Sequence, residues 1–93
     1  MRQYEIVTIY RNSEQGQLET TRKAVGELLA RHKAEVVKED EWGNRSLWHE
    51  TRDALSGFFI LVTCKMPPES IKDLKHDLEI QNGLLRFMVK RAA

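Results

Sequence analysis

Apolar residues recur with two different periods along this chain, and the changes of period predict its first three elements. β-Branched and aromatic residues at positions 4–10 predict a strand. From Leu18 to about His32, apolar residues return every three or four positions, which predicts a helix with one buried face. Gly26 weakens that helix and suggests close packing at this point. Positions 35–51 are predicted to be extended, with a bulge or bend at Trp42-Gly43.

The second half repeats this alternation. Residues 53–57 predict a turn, and residues 58–66 predict the strongest strand of the chain. Two prolines then stop that strand and open a second helix, because proline suits the first helical turn. Gly83, in a left-handed conformation, is expected to end this helix, and residues 84–90 predict the last strand.

The predicted order is β-α-β-β-α-β, which is typical of a ferredoxin-like α+β fold. Right-handed crossovers then give a four-stranded antiparallel sheet with two helices on one face. A length of 93 residues allows one small domain, so we expect residues 1–93 to form a single unit.

Composition narrows the class of protein. Fifteen Lys and Arg against fourteen Asp and Glu leave a net charge of +1, which excludes a polyanion-wrapping tail but permits a local basic patch. A single cysteine, Cys64, favours a reducing compartment. The longest apolar run has the length of a strand, and the first residues do not resemble a secretion signal. We therefore expect a cytoplasmic protein.

Alternation along the predicted strands raises the question of what covers the helix-free side of the sheet. The row that includes Phe59 and Leu61 faces away from the expected core, and so do Val7 and Ile9 in the first strand. In the last strand, Leu85, Phe87 and Val89 alternate with Arg86, Met88 and Lys90. This side mixes apolar and cationic residues, which permits either ordinary exposed apolar residues or a docking face for protein and nucleic acid.

Rings and guanidinium groups are interleaved between Trp42 and Arg52, with Arg45, Trp48 and His49 between them. Guanidinium groups bind phosphate, and aromatic rings stack on unpaired bases. Burial habits favour a packing role for Trp42 in the core or at a hinge. For Trp48 both roles stay open, stacking on RNA or packing internally.

Four motifs in order then identify a resemblance that runs from Met1 to about Arg91. They are M-R-Q-Y-E at residues 1–5, E-W-G-N-R-S-L at 41–47, G-F-F at 57–59 and F-M-V-K at 87–90. Together they resemble the bacterial small-subunit ribosomal protein six family.

This resemblance implies a structural, non-enzymatic, cytoplasmic component of the ribosome. It implies binding to the central domain of the small-subunit ribosomal RNA together with ribosomal protein eighteen, in support of platform assembly. The residues expected to bind RNA are Arg2, Arg45, Trp48, Arg52, Arg86 and Lys90. Those expected to contact the partner protein are Val7, Ile9, Phe59, Leu61 and Met88.

Residues 48–53 depart from the family pattern, and Arg52 is expected to replace a lysine that the family carries one position away. The three histidines lie on separate predicted elements and share no ligand spacing with Cys64, so we expect no metal, no cofactor and no catalytic site. The alternative, suggested by topology alone, is a small regulatory or acylphosphatase-like domain.

Overall fold

The part of the chain that the structure describes contains four antiparallel strands, two α-helices and one short 3-10 helix (Pro68–Ser70). This computed structural model describes residues 2–12, 15–52 and 54–92, except for the side chains at positions 48, 49 and 51. Its elements are β1 (Arg2–Tyr10), α1 (Gln17–Arg31), β2 (Glu35–Thr51), β3 (Ala54–Met66), α2 (Ile71–Glu79) and β4 (Leu84–Arg91). The sheet order is β2-β3-β1-β4, and every neighbouring pair is antiparallel. The predicted ferredoxin-like architecture is confirmed.

The hydrophobic core lies between the sheet and the two helices. Ile60, Cys64 and Met66 from β3 are fully buried and pack with Leu74 and Leu78 from α2. These residues recur at the strand period of two and at the helical period, as their spacing predicted. Burial raises the pKa of the Cys64 thiol, so the thiol stays protonated at neutral pH. Cys64 therefore behaves as a small core residue.

The hairpin between β2 and β3 is tighter than predicted. Thr51 already pairs with Ala54, so the strand begins at Ala54 and the prediction of a turn over residues 53–57 is wrong. Arg52 makes the reversal possible with a left-handed backbone, at φ 49°. Few non-glycine residues adopt this conformation, and arginine gives no sequence signal for it.

Two glycines have roles that differ from their predicted ones. Gly83 does not have the left-handed backbone conformation that was predicted for it, and α2 ends earlier, at Glu79. A Cβ at Gly83 would instead collide with Thr21 Oγ1 of α1, so glycine permits close packing there. Gly26, predicted to pack closely, is exposed and has no atom within 4 Å of a Cβ position. The close approach of backbone to helix therefore occurs at Gly83.

An ion-pair cluster holds the acidic segment of β2 against the helical layer. Arg22 of α1 donates to Glu39 at 3.0 Å and to Glu41 at 3.3 Å. Burial alone would lower the pKa of Arg22, but the two carboxylates outweigh it and raise that pKa. Glu39 and Glu41 thus lie on the helix side of the sheet, whereas Asp40, which pairs with Leu61, lies on the opposite side.

Candidate RNA and protein interface

The side of the sheet that carries no helix, here called the open face, is ordered in rows by the strand register. In an antiparallel sheet, directly paired residues point to the same side. Pairing of β3, β1 and β4 gives three such rows across the open face: Phe59–Ile9–Arg86, Leu61–Val7–Met88 and Thr63–Glu5–Lys90. Two rows are mainly apolar, and the third is polar and charged.

All five residues predicted to contact a partner protein occupy the two apolar rows. Val7, Phe59 and Leu61 are half-buried, and Met88 is 47% exposed. Ile9 is buried because its end of the face is crowded by the chain itself. The five residues therefore form a continuous apolar surface.

An irregularity in β4 explains why Ile9 is covered. The pairing of β1 with β4 shifts between Ile9 and Tyr10, which leaves Leu85 out of the regular alternation. A Cβ at Gly57, on the open face, would lie 2.6 Å from Ile9 Cγ2 and 3.1 Å from Leu85 Cδ1. Leu85 thus packs beside Ile9 on the open face, so the predicted alternation of Leu85 with Arg86 is wrong at this point.

A bulge in β2 places Trp42 beside this apolar surface. The register shifts between Glu41 and Gly43, and Gly43 has the left-handed φ of 83° that such a bulge favours. The Trp42 ring remains 42% exposed and borders a groove of about 500 Å³ on the open face. The groove is lined by Glu5, Val7, Trp42, Leu61, Met88, Val89 and Lys90. The predicted bulge is present, but Trp42 lies outside the core.

Arg45 fixes the position of the Trp42 ring. Its guanidinium carbon lies 5.7 Å from the ring centroid, and its Nε donates to the Trp42 carbonyl at 3.4 Å. A cation over an indole face is attracted by the ring quadrupole. The two residues therefore form an exposed aromatic and cationic pair on the edge strand of the open face.

The predicted RNA-binding residues do not share one surface. By strand register, Arg45, Arg86 and Lys90 lie on the open face, on its two edge strands. Arg2 pairs with Met66 and so lies on the helix side, where it is exposed at the start of β1. The prediction for the Trp48 side chain falls outside the part of the chain that the structure describes.

Arg52 is engaged with its own chain. Its guanidinium donates to the carbonyl of Glu79, the last residue of α2, at 3.1 Å. It also donates to two carbonyls that follow the helix, those of Gln81 at 3.4 Å and Leu84 at 3.3 Å. A cation at this position satisfies free carbonyls and complements the helix dipole. Arg11 in turn donates to the Arg52 carbonyl at 2.6 Å. These contacts hold the β2–β3 hairpin against the end of α2, so Arg52 has a structural role.

Lys75 is a cation that the sequence did not single out. It lines a groove of about 310 Å³ between α2 and β4, together with Arg52 and Arg86. Glu79 is the one acidic group among the lining residues that the structure describes. Helical spacing could have indicated that Lys75 lies near this groove. Lys75 is one helical turn before Glu79, and Glu79 is the residue of α2 that Arg52 contacts.

The described residues define the class of protein to which this chain belongs. Among the described residues, no three His, Cys, Asp or Glu side chains come together as a metal site. No helix in the same residues is long and apolar enough to cross a membrane. The fold and the open face define a small α+β binding domain, with an apolar centre suited to a protein and cationic margins suited to phosphate.

Comparison with known proteins then identifies the family. The family model described as Ribosomal protein S6 matches residues 3–91. A protein from Leptospira biflexa named small ribosomal subunit protein bS6 is 34% identical over 92 residues, which cover 99% of this chain and 98% of the relative. A protein of the same name from Heliobacterium modesticaldum is 33% identical, with 98% and 96% covered. The chain belongs to the Ribosomal protein S6 family.

Solved structures agree on the fold. The crystal structure of 30S ribosomal protein S6 from Thermotoga maritima superposes with a TM-score of 0.86 at 17% identity, covering 98% of this chain and 87% of that one. The P2 domain of the chemotaxis kinase CheA also superposes, with a TM-score of 0.67 at 14% identity. Likeness at this level of identity shows the fold alone, since one fold hosts many functions.

Family membership confirms the resemblance found in the sequence. The chain is a small-subunit ribosomal protein, located in the ribosome and hence in the cytoplasm. The family is one of ribosomal structural proteins rather than enzymes. Association with the small-subunit ribosomal RNA follows from that membership.

Proposed function

We propose that the chain binds the central domain of the small-subunit ribosomal RNA together with ribosomal protein eighteen, and so supports assembly of the platform. One observation carries this proposal. The five residues predicted to contact a partner form two adjacent apolar rows on the open face, and cations on both edge strands border them. An apolar centre with a charged rim is typical of a protein interface.

The apolar rows favour a protein as the occupant of the open face. Leu61 and Val7 lie at its centre, and both line the groove that Trp42 borders. Apolar side chains gain about 25 cal/mol for each Å² removed from water, whereas phosphate groups offer them nothing. A protein partner would therefore supply the cover that the helices give to the opposite side.

The cations favour RNA at the margins of the same surface. No hydrogen bond or ion pair engages the Arg86 or Lys90 side chain within the described part of the chain. Lys75 adds a third cation near Arg86, in the groove between α2 and β4. With few such cations, the chain alone is expected to bind RNA weakly, and a basic partner on the open face would couple protein association to RNA binding.

Replacing Arg86 by alanine tests the phosphate contact. We expect weaker binding of a central-domain RNA fragment at moderate salt, and a salt dependence whose log–log slope falls by about 1, because one phosphate contact is lost. Filter binding at several potassium chloride concentrations, with the partner protein present, measures both quantities.

Arg31→Ala is the matched control, since Arg31 is exposed in the last turn of α1, in the helical layer. It should leave both the affinity and the slope unchanged. Thermal unfolding of the Arg86→Ala variant should match that of the wild type. An unchanged slope for Arg86→Ala would remove Arg86 from the RNA interface, and unfolding would assign it to stability.

A further inference from the structure

The groove beside Trp42 joins an apolar floor to a carboxylate near the middle of the sheet. Val7 and Leu61 line this groove of about 500 Å³, and Glu5 is the one acidic group among its described lining residues. Glu5 lies on β1, an interior strand of the sheet, and pairs with Lys90 of β4. The Glu5 side chain is half-buried there, whereas Lys90 on the edge strand is exposed.

The Glu5 carboxylate has no counter-charge within the described part of the chain. Lys90 is its direct neighbour across the sheet, yet the two side chains form no ion pair. Lys38 extends the same row onto β2, but its ammonium pairs with Asp40 at 3.6 Å. A half-buried carboxylate can stay in contact with water in the free chain, but an unpaired charge is strongly destabilising once a partner covers it. A protein that covers the open face must therefore bring a cation to Glu5.

Trp42 favours arginine over lysine as that cation. Its ring is 42% exposed and already attracts one guanidinium, since the Arg45 guanidinium carbon lies 5.7 Å from the ring centroid. Arg45 does not line the groove, so the part of the ring that borders the groove is open to a second cation. A guanidinium is planar and more weakly hydrated than an ammonium, and it stacks on indole rings.

We infer that the groove receives one arginine side chain of the partner protein, whose guanidinium pairs with Glu5 and stacks on Trp42. The methylene groups of that arginine lie on the apolar floor formed by Val7 and Leu61. The fork of a guanidinium can bind both oxygens of a carboxylate, which fixes the orientation of the partner as well as its position. A phosphate group would be repelled by Glu5, so the same carboxylate disfavours RNA in the groove. This inference rests on the proposed function, because it requires a protein on the open face.

Glu5→Gln distinguishes a cationic occupant from an apolar one, because the two predict opposite effects. Glutamine keeps the size of the side chain and removes its charge. With an arginine in the groove, we expect the dissociation constant for ribosomal protein eighteen to rise about thirtyfold, as for the loss of one buried charge pair. An apolar side chain would bind the variant at least as tightly as the wild type, since no carboxylate would then be buried. Isothermal titration calorimetry without RNA measures the difference.

Two further variants serve as controls in the same titration. Glu27→Gln makes the same chemical change at an exposed position of α1, in the helical layer, and should leave the affinity unchanged. Lys90→Ala removes the cation of this chain that lies nearest to Glu5 in the register, and it should also leave the affinity for the partner unchanged. If Lys90→Ala weakens binding as much as Glu5→Gln does, Lys90 neutralises Glu5 and the inference is overturned.

Phenylglyoxal, which modifies arginine, identifies the occupant itself. In the saturated complex with the wild-type chain, peptide mass spectrometry should show one protected arginine of ribosomal protein eighteen, and the same arginine should react in the complex with Glu5→Gln. Protection of a lysine against acetylation, with no arginine protected, would overturn the assignment. The wild-type footprint decides this point even if Glu5→Gln alters the thermal unfolding of the free chain.

The titration also separates failure of this contact from failure of the proposed function. If the wild-type chain does not bind ribosomal protein eighteen, the proposed function and the inference both fail. If the wild type binds and Glu5→Gln binds equally or more tightly, the open face still holds the partner and only the arginine contact fails.

Discussion

Leu61→Asp is expected to abolish association with the partner protein while leaving the isolated chain folded. Leu61 lies in the central apolar row of the open face, between Asp40 and Val7 in the register. A carboxylate there would be buried without a counter-charge once a partner covers the face, at a cost of several kcal/mol. In the free chain the same carboxylate stays in contact with water, since residue 61 is half-buried and faces away from the core. Isothermal titration calorimetry against ribosomal protein eighteen should therefore show no measurable binding.

Ile80→Asp is the control for this experiment. Ile80 is 64% exposed just after α2, so the substitution has the same chemistry at a site away from the open face. It should leave the titration unchanged. Equal partner affinity for Leu61→Asp and wild type would remove the open face from the interface, and a large loss of thermal stability would show that Leu61 supports the free fold.

Gly83→Ala is expected to destabilise the chain by about 1–3 kcal/mol, the usual cost of overpacking a close contact. A Cβ at this position would overlap Thr21 Oγ1 and approach the rest of that side chain at 3.0 Å. Thr21 cannot turn aside without a loss, because its hydroxyl donates to the Gln17 carbonyl at 3.1 Å and its side chain is buried. Urea denaturation, with the midpoint compared at a constant m-value, measures the change.

Gly26→Ala is the matched control, and we expect it to stabilise the chain rather than destabilise it. The open space around a Cβ at Gly26 and its place in the middle of α1 predict a stabilisation of up to about 1 kcal/mol. The pair distinguishes a packing requirement from general helix propensity. A stable Gly83→Ala variant would mean that α1 can shift away from the loop before β4, and a destabilised Gly26→Ala variant would contradict the solvent-facing position.

The sequence predicted the fold because its local signals agree with one another. Residues 58–66 alternate cleanly, and the prolines that follow them mark the start of the second helical segment. The same alternation placed Val7, Phe59 and Leu61 on the open face, since the strand period decides the side to which a residue points.

The errors arose where the pairing departs from that period or where backbone approaches side chain. The shift beside Ile9 breaks the predicted alternation of Leu85 with Arg86, and periodicity carries no mark of such a shift. Gly26 was predicted to pack closely and Gly83 to end a helix, yet of the two only Gly83 has another element within contact distance of a Cβ. The contacts of Arg52 with three carbonyls depend on a left-handed hairpin residue that no composition rule indicates.

The salt bridges of Arg22 hold two carboxylates of β2 on the helix side of the sheet. They draw Glu39 and Glu41 toward the helices, whereas Arg45, Arg86 and Lys90 stay on the other side of the same sheet. A molecule with a net charge of only +1 thus acquires a polarity across its thickness that its unfolded chain lacks. A polyanion can therefore distinguish the native state from the unfolded one, and its binding would stabilise folding by mass action.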